Sequence, residues 1–592
     1  MVECRVTSQD GPCILISGAQ TDPLIRKCRI HHGKDSGIAI SENAAGTLDH
    51  CKIVENTGPG ISVSTGATPK IDHCNIRGGK SNGIRFSDNG MGSVEYCDIR
   101  GTEKPGVSVD ATSAPTISHS NIHFGKQSGM WVQSSDGCIV EGCDIHDNQE
   151  AGLVIGPGGN PEIRSCRIHD GTKEGVLTAG AGKGTFKNCD IFSNSGPGVL
   201  VTRGSDPRFT LCRVHNGKDA GVIFDTDAAG SLDQCGVHSN SKANIISIKG
   251  ASPDVRRCTI HDGEMTGVSV IDSGKGEFFD CDIFANAKSN IEIKRKGDPL
   301  FRGCKIHDAT ASEIIVSDKG LGTFEKCDIS KADDGTFWDV TCMEITGGSR
   351  PSIRDCKLHG NAAHGFLIET AAKCLISECE LLDFQYGIYI TGRANPIIRN
   401  CILHDTECGI FLDSQAQGVI EYCDIKENLF SGIQISERAR PQIRDCKIHE
   451  NQGVGIFVSA QGRTTIENCT IEKNTGGSWE IELQSDVNIV WSQDPYQKLR
   501  ELLAKSGSGV TGAKRETFRL VREITGHQCI DKKRKMHGVP YQLLRNLNEA
   551  WIQAGHSPLS QQAWFSEDEE ITTTGWFSDE SWMLRRLHEL GL

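Results

Sequence analysis

The sequence predicts a mostly β chain: a parallel β-helix solenoid of about 21 coils, followed by a small α-helical C-terminal domain. Three observations carry this. A cysteine recurs every 23 residues through most of the chain. Short apolar pieces of period 2, Cys-x-Ile and Gly-Val/Ile-x-Val/Ile, flank it, and no helical apolar period accompanies them. Near Asp494 this pattern stops and amphipathic helical signals begin.

The ladder fixes the register of each coil. Cys28, Cys51, Cys74 and Cys97 are 23 apart, Ser120 stands in for the next, and Cys143 to Cys327 continue at the same step. A 29-residue step leads to Cys356, after which Cys379, Cys401, Cys423, Cys446 and Cys469 follow at 22 or 23. A fixed period of this size marks a solenoid, whose repeats bury a core only by stacking. Alternate coils differ. Pro precedes the ladder position by five residues in every second coil, from Pro23 to Pro299 at intervals of 46. Those coils often carry Gly five residues after it (Gly33, Gly125, Gly171, Gly217, Gly263), and the intervening coils carry Asn there (Asn56, Asn148, Asn194, Asn240, Asn286). The evolutionary unit is therefore two coils. Gly also recurs nine residues after the ladder, from Gly37 to Gly221, which predicts positive φ or close backbone approach at a corner.

In chain order, residues 1–27 form an incomplete first coil around Cys4, with an open strand edge that a partner or further chain would cover. Residues 1–327 make the first β-helix segment. The long step places an acidic insertion at 328–341. Residues 342–490 make the second segment, with shorter coils and more aromatics. From 494 to 592, stretches such as P-Y-Q-K-L-R-E-L-L-A-K, with Pro at the start, define the helical domain. This tail holds 14 Lys and Arg against 13 Asp and Glu, so the β-helix carries essentially all of the net charge of −14. A basic run (Lys532, Lys533, Arg534, Lys535) and an acidic one (Glu567, Asp568, Glu569, Glu570) read as solvated loops.

The 26 Cys point neither to disulfides nor to metal. Zinc-type Cys-x-x-Cys pairs are missing. Each ladder Cys alternates with an Ile two positions on, so it points inward as a small hydrophobe. The chain opens M-V-E-C-R-V with no apolar leader, and no stretch has membrane length. A cytoplasmic protein with reduced thiols, no membrane partner and no cofactor is expected. The residue after the ladder Cys alternates in sign, Arg167 between Asp144 and Asp190, which sets opposite charges against each other at a strand spacing of ~4.8 Å. Eleven of the 20 His lie three residues after the ladder position. Most recur every second coil, at ~10 Å, too far to share an ion at ~2 Å bonds, so they read as turn packing and no metal site is expected.

With these strands and this period, residues 1–490 resemble the right-handed parallel β-helices of the pectin-lyase-like superfamily. Closer still are the NosD copper-maturation proteins and the β-helix substrate-binding region of certain F-box proteins. The resemblance implies a right-handed coil, a fold that hosts many functions. Coils of the Cys-Ile-His-Asp-Gly type look like those of bacterial cytosolic β-helices fused to ATPase, kinase or conflict-system modules, which implies a regulatory or defence role. In the tail, Y-x-K-L-R-x-L-L, E-T-x-R-L, and Gly575-Trp576 with Trp582 are distantly similar to the porphyrin-binding domain that stimulates magnesium chelatase, over short motifs only.

Enzymes of the superfamily act along an outward strand face with clustered acids. Here the outward residue of the Gly-Val/Ile-x-Val/Ile strand reads Trp131, Val154, Leu177, Leu200, Ile223 and Ile246 over six successive coils. Leu367, Tyr389, Phe411 and Phe457 make a second stripe. Glu292 and Glu344 stand apart, so the carboxylate pair of glycoside hydrolysis is missing. Asp333, Asp334 and Asp339 of the insertion, with Lys294 and Lys296, are the best catalytic candidates. At ~100 Å² each, six outward apolar side chains would expose ~600 Å², a patch at or above the largest normal for a monomer. The expected function is non-enzymatic recognition or scaffolding. The apolar stripe would meet a protein partner or a second copy, and the helical domain would act as an interaction or effector module. A carbohydrate-active lyase or hydrolase is one alternative. An acidic DNA mimic is another, against which the alternating Arg/Asp ladder speaks, and nucleic acid is not an expected partner.

Overall fold

The computed structural model describes residues 1–331, 340–482 and 485–490. Asp333, Asp334 and Asp339 and the expected helical domain lie outside the described residues. The chain divides into two compact units, Met1–Ala311 and Ser312–Leu592, a division that falls ahead of the insertion. Each unit is a parallel β-solenoid. One sheet alone has 21 strands, one per coil, in agreement with the coil number the period predicts. No helix among the described residues is long and apolar enough to cross a membrane.

The coil around Cys166 shows how the sequence makes a turn of the solenoid. Its strands are Glu162–Arg164, Arg167–His169 and Val176–Thr178. Each pairs in parallel with the strand 23 residues on: Ile163 opposite Phe186, Ile168 opposite Ile191, Val176 opposite Val199. Ile163, Cys166, Ile168 and Val176 are fully buried. The chain bends between strands at residues of positive φ: Ser165 (50°), Asp170 (52°), and Gly180 with Ala181 (60° and 63°). For a residue with a side chain, this conformation costs about 1–2 kcal/mol. Bonds to the next coil offset that cost; the Ser165 N–H donates to the Lys187 carbonyl at 2.9 Å.

Among the described residues all cysteines are free, and nearly all are buried. The ladder thiols face backbone carbonyls. Cys166 Sγ lies 3.3 Å from the Arg164 oxygen and 3.6 Å from that of Val140. Ser120 fits the ladder because its hydroxyl donates to the Ser118 carbonyl at 2.8 Å and accepts the Cys97 N–H at 3.1 Å. Away from the ladder, burial pushes the thiols of Cys138 and Cys374 up to about 12.

The corner glycines answer to close approach and not to positive φ. A Cβ on Gly152 would stand 2.8 Å from the Gly175 carbonyl oxygen and 2.6 Å from Ile168 Cγ2. The two-coil repeat has an equally local cause. Asn194 Oδ1 accepts the Gly171 N–H at 3.1 Å, while its Nδ2 donates to the Ile168 carbonyl at 3.1 Å. Asn148 does the same for Gly125 and Ile122, and Asn240 for Gly217 and Val214. One buried amide thus satisfies two backbone groups of the coil before it. Gly suits the partner position, since a Cβ on Gly171 would come within 3.0 Å of Asn194 Oδ1, although in the second unit Thr406 and Asn428 make the same bond.

The sign-alternating ladder and the histidines form one device. Each ladder His rests on the residue after the Cys one coil earlier, and where that residue is acidic the two bond. Examples are His169 Nε2 to Asp144 at 2.8 Å, His215 Nε2 to Asp190 at 2.9 Å and His307 Nε2 to Asp282 at 3.0 Å. Where the earlier coil offers Arg167, the ring is Phe192, with the guanidinium 5.3 Å from its centroid. From His123 to His307 the rings stack coil upon coil, Phe192 and Phe284 filling the gaps in the histidine row, at 4.5–5.4 Å.

Two of these rings give the first unit opposite pH responses. Burial works against protonation of His307, but the hydrogen bonds and charges of Asp308 and Asp282 outweigh it and raise its pKa above 6.5. Burial, then His215 and His261, pulls His238 down to about 4. His307 therefore contributes stability that is full below its unfolded pKa and fades as pH rises through the folded one. His238 takes its proton only when unfolded between about pH 6.5 and 4, so it costs stability as pH falls through that window. In thermal melts, His238→Gln should raise the midpoint at about pH 5 relative to the parent, with little change at about pH 8. His307→Gln should lower it more at the acidic end. Identical pH profiles for both variants would refute this.

Candidate functional site

The second unit departs from the regular coil where the ladder steps shorten. Cys379 to Cys401 and Cys401 to Cys423 each span 22 residues. The strands on either side keep register: Leu381 pairs with Leu403 and then Ile425, and Ile388 with Ile410 and then Ile433. The missing residue therefore comes out of the turn between them. Glu380–Ile390 runs through as one strand of 11 residues, beside the 12-residue strand Lys357–Ile368 of the full-length coil before it.

Two short turns between longer ones leave a recess. It measures about 520 Å³ and is lined by Asn361, Asp383, Phe384, Gln385, Asp405, Thr406, Glu407, Glu427, Leu429 and Gln452. Behind Thr406 runs a buried polar ladder: Thr406 Oγ1 donates to Asn428 Oδ1 at 2.6 Å, and Asn428 Nδ2 to Asn451 Oδ1 at 2.8 Å. The full-length turn at one end carries Leu429 and Phe430, which are 47% and 57% exposed. Next to the recess the tightened strands hold an aromatic cluster. Tyr386 stacks on Phe411 at 5.2 Å, Tyr389 on Phe411 at 5.1 Å, and His364 on Tyr389 at 5.2 Å.

The charges of the recess are one-sided: four carboxylates and neither Lys nor Arg line it. Glu427 has Lys426 Nζ at 3.4 Å. Asp405 bonds His404 Nδ1 at 2.7 Å, and His404 Nε2 reaches Glu380 at 3.3 Å. Asp383 and Glu407 have no cationic partner among the described residues. Burial pulls His364 down to about 4, so its ring is neutral at ordinary pH. Burial, then the charges of Cys408, Glu407 and Asp413, raises the Tyr386 phenol, and burial with the Asp413 bond raises Tyr389. Ligand atoms of His404, Asp405 and Glu427 lie within 4.8 Å of one another, near enough to converge on one cation if His404 gave up a present bond.

The residues singled out in the sequence fall differently. Trp131, Val154, Leu177, Leu200, Ile223 and Ile246 do stand in one outward row, in register from coil to coil. The area expected of them is too large. Val154 is only 3% exposed and the rest are half-buried. In-register stacking covers each side chain from the coil above and the coil below, leaving edges in solvent. The Trp131 indole also reaches Gly156, where a Cβ would meet its Nε1 at 3.2 Å. Leu367, Tyr389 and Phe411 align in the second unit, with Gln434 between Phe411 and Phe457, and all four stripe residues are half-buried. Lys294 is engaged with Glu292 at 2.6 Å. Sequence reasoning missed the recess, although the two 22-residue steps mark it. It also missed a buried ion pair, Lys331 Nζ to Glu313 Oε1 at 3.6 Å, beside which the buried Cys342 thiol is raised by burial and then by the Glu313 charge.

The sequence matches the family described as "Right handed beta helix region" over residues 1–114, 105–253, 244–342 and 341–492. No curated protein matches it. Among solved structures it is similar to the mannuronan C-5 epimerase AlgE4 A-module of Azotobacter vinelandii, at 14% identity and a TM-score of 0.32, over 48% of this chain and 86% of that one. The AlgE6 A-module of the same organism aligns at 9% identity and 0.30, over 60% and 90%. The periplasmic alginate epimerase AlgG aligns at 10% and 0.27, over 57% and 76%.

Proposed function

This chain belongs to the right-handed β-helix family, whose fold sets a scaffold and not a reaction, and we propose that it is a recognition protein whose second unit takes a ligand in the recess over its 22-residue coils. One observation carries the reading: two consecutive shortened turns open a concave site of about 520 Å³, with carboxylates and amides inside it and an aromatic cluster beside it. A few placed polar groups in a concavity with apolar surroundings are the ordinary make-up of a ligand site. The half-buried row of the first unit is the weaker candidate for the expected protein contact, since neighbouring coils already cover most of each side chain.

The test titrates the full chain with short peptides and oligosaccharides of acidic, neutral and basic character, following tyrosine fluorescence and the melting temperature. At least one class should bind. Filling the recess with Gln385→Trp and Leu429→Trp should weaken that binding about tenfold or more. The reading fails if no class binds, or if the filled variant binds as well as the parent. Turnover of a glycan, lost in Glu427→Gln, would make the recess a carbohydrate-active site and overturn the non-enzymatic reading.

A further inference from the structure

We infer that the recess docks an extended basic peptide segment of a partner chain, its positive side chains against the carboxylates and an apolar side chain against Leu429 and Phe430. The inference rests on the reading of the recess as a ligand site and names what fills it.

Charge complementarity is the first argument. On the outer surface of the second unit, some acids are matched by a base one coil away: Glu380 by Lys357 at 3.4 Å, Glu378 by Arg354 at 3.3 Å, Glu450 by Lys473 at 3.4 Å. Asp383 and Glu407 face the recess with no cation beside them among the described residues, and no Lys or Arg lines it. Like charges held a coil apart repel, and a ligand that brings positive charge relieves the repulsion.

The rim and the dimensions are the second. The coils of Cys379 and Cys401 turn with Phe384 buried and Thr406 bonded to Asn428, whereas the turn after Glu427 sends Leu429 and Phe430 into solvent. Leu429 and Phe430 thus add exposed apolar surface at the edge of the concavity. The recess runs from the coil of Asn361 to that of Gln452, four steps of ~4.8 Å, or ~19 Å, which matches about six residues of extended chain at ~3.3 Å each. The cluster beside it stays attractive to a cation because its His364 ring is neutral, and the faces of Tyr386 and Phe411 favour positive charge.

The probe is a fluorescent hexapeptide of alternating lysine and leucine, with a glutamate–leucine hexapeptide as control. Both are titrated against the full chain by anisotropy at low and high salt. The basic peptide should bind and the acidic one should not, with affinity falling as salt rises. Asp383→Asn with Glu407→Gln should lower affinity about tenfold and flatten the salt dependence. Leu429→Ser with Phe430→Ser should lower affinity and keep the salt dependence. Unchanged circular dichroism establishes that both variants fold. Equal binding by the parent and the acid-to-amide variant overturns the inference, as does equal binding of the acidic peptide. Should only a chain with Lys532, Lys533, Arg534 and Lys535 changed to Gln take up the peptide, the occupant is the chain's own basic run and the partner proposal falls. If a neutral or acidic ligand binds and the Gln385→Trp, Leu429→Trp variant excludes it, the recess is a ligand site but not for basic peptides. If nothing binds at all, both readings fail together.

Discussion

Lys331→Met is expected to destabilise the second unit by about 3–5 kcal/mol, because it takes the cation from beside a carboxylate buried inside the protein. Lys331 Nζ lies 3.6 Å from Glu313 Oε1, and the two side chains are 3% and 0% exposed. Glu313 occupies the corner position that Gly365 and Gly387 hold in later coils: Ile314 pairs with Met343, which pairs with Phe366 and so aligns Glu313 and Cys342 with Gly365. A side chain at that position points into the packed corner, and Glu313 is fully buried there. Denaturant titration of the full chain, read on the transition of the second unit, measures the loss. The double variant Lys331→Met with Glu313→Gln should recover a good part of it, since removing both charges leaves no buried ion to desolvate. A single variant within about 1 kcal/mol of the parent would show that the pair does not carry this corner.

Phe209→Ala should cost the first unit a comparable amount, about 3–5 kcal/mol, through a cavity in the thin core. Phe209 and Phe186 are fully buried and stack at 4.4 Å with their planes 12° apart. They stand in one column between Ile163 and Leu232. Phe209→Leu refills most of the volume and should cost less than about 1.5 kcal/mol. The damage should stay local, because each coil touches only its neighbours. Amide exchange should therefore quicken around Phe186 and Leu232 and hold its pace near Ile30 and Ile53. Uniform loss of protection through the first unit would contradict this.

What could be read in advance was whatever repeats. Cys166 and Ile168 announce an inward pair by their spacing, and the same spacing one coil on announces the partner strand, so fold and register follow from period alone. The Gly171/Asn194 alternation was visible too. Its cause was not, since the bonds from Asn194 to the Gly171 N–H and the Ile168 carbonyl exist only once the coils are stacked. The row from Trp131 to Ile246 stands in register, but less exposed than alternation implies, because alternation gives a direction and not the cover supplied by the coils above and below.

The sequence by itself determined the solenoid: its β class, its coil number, and the inward column of Cys and Ile. A periodic chain has one way to bury all its repeats together, and the period reports it directly. Tertiary structure alone decided the candidate site. Asp383, Glu407 and Leu429 are unremarkable in their own coils, and nothing local to them says that they face one space. They come together because one residue is missing from each of two turns while the strands on both sides keep register, so the missing length is taken out of the surface, and a recess opens only where longer turns stand on either side.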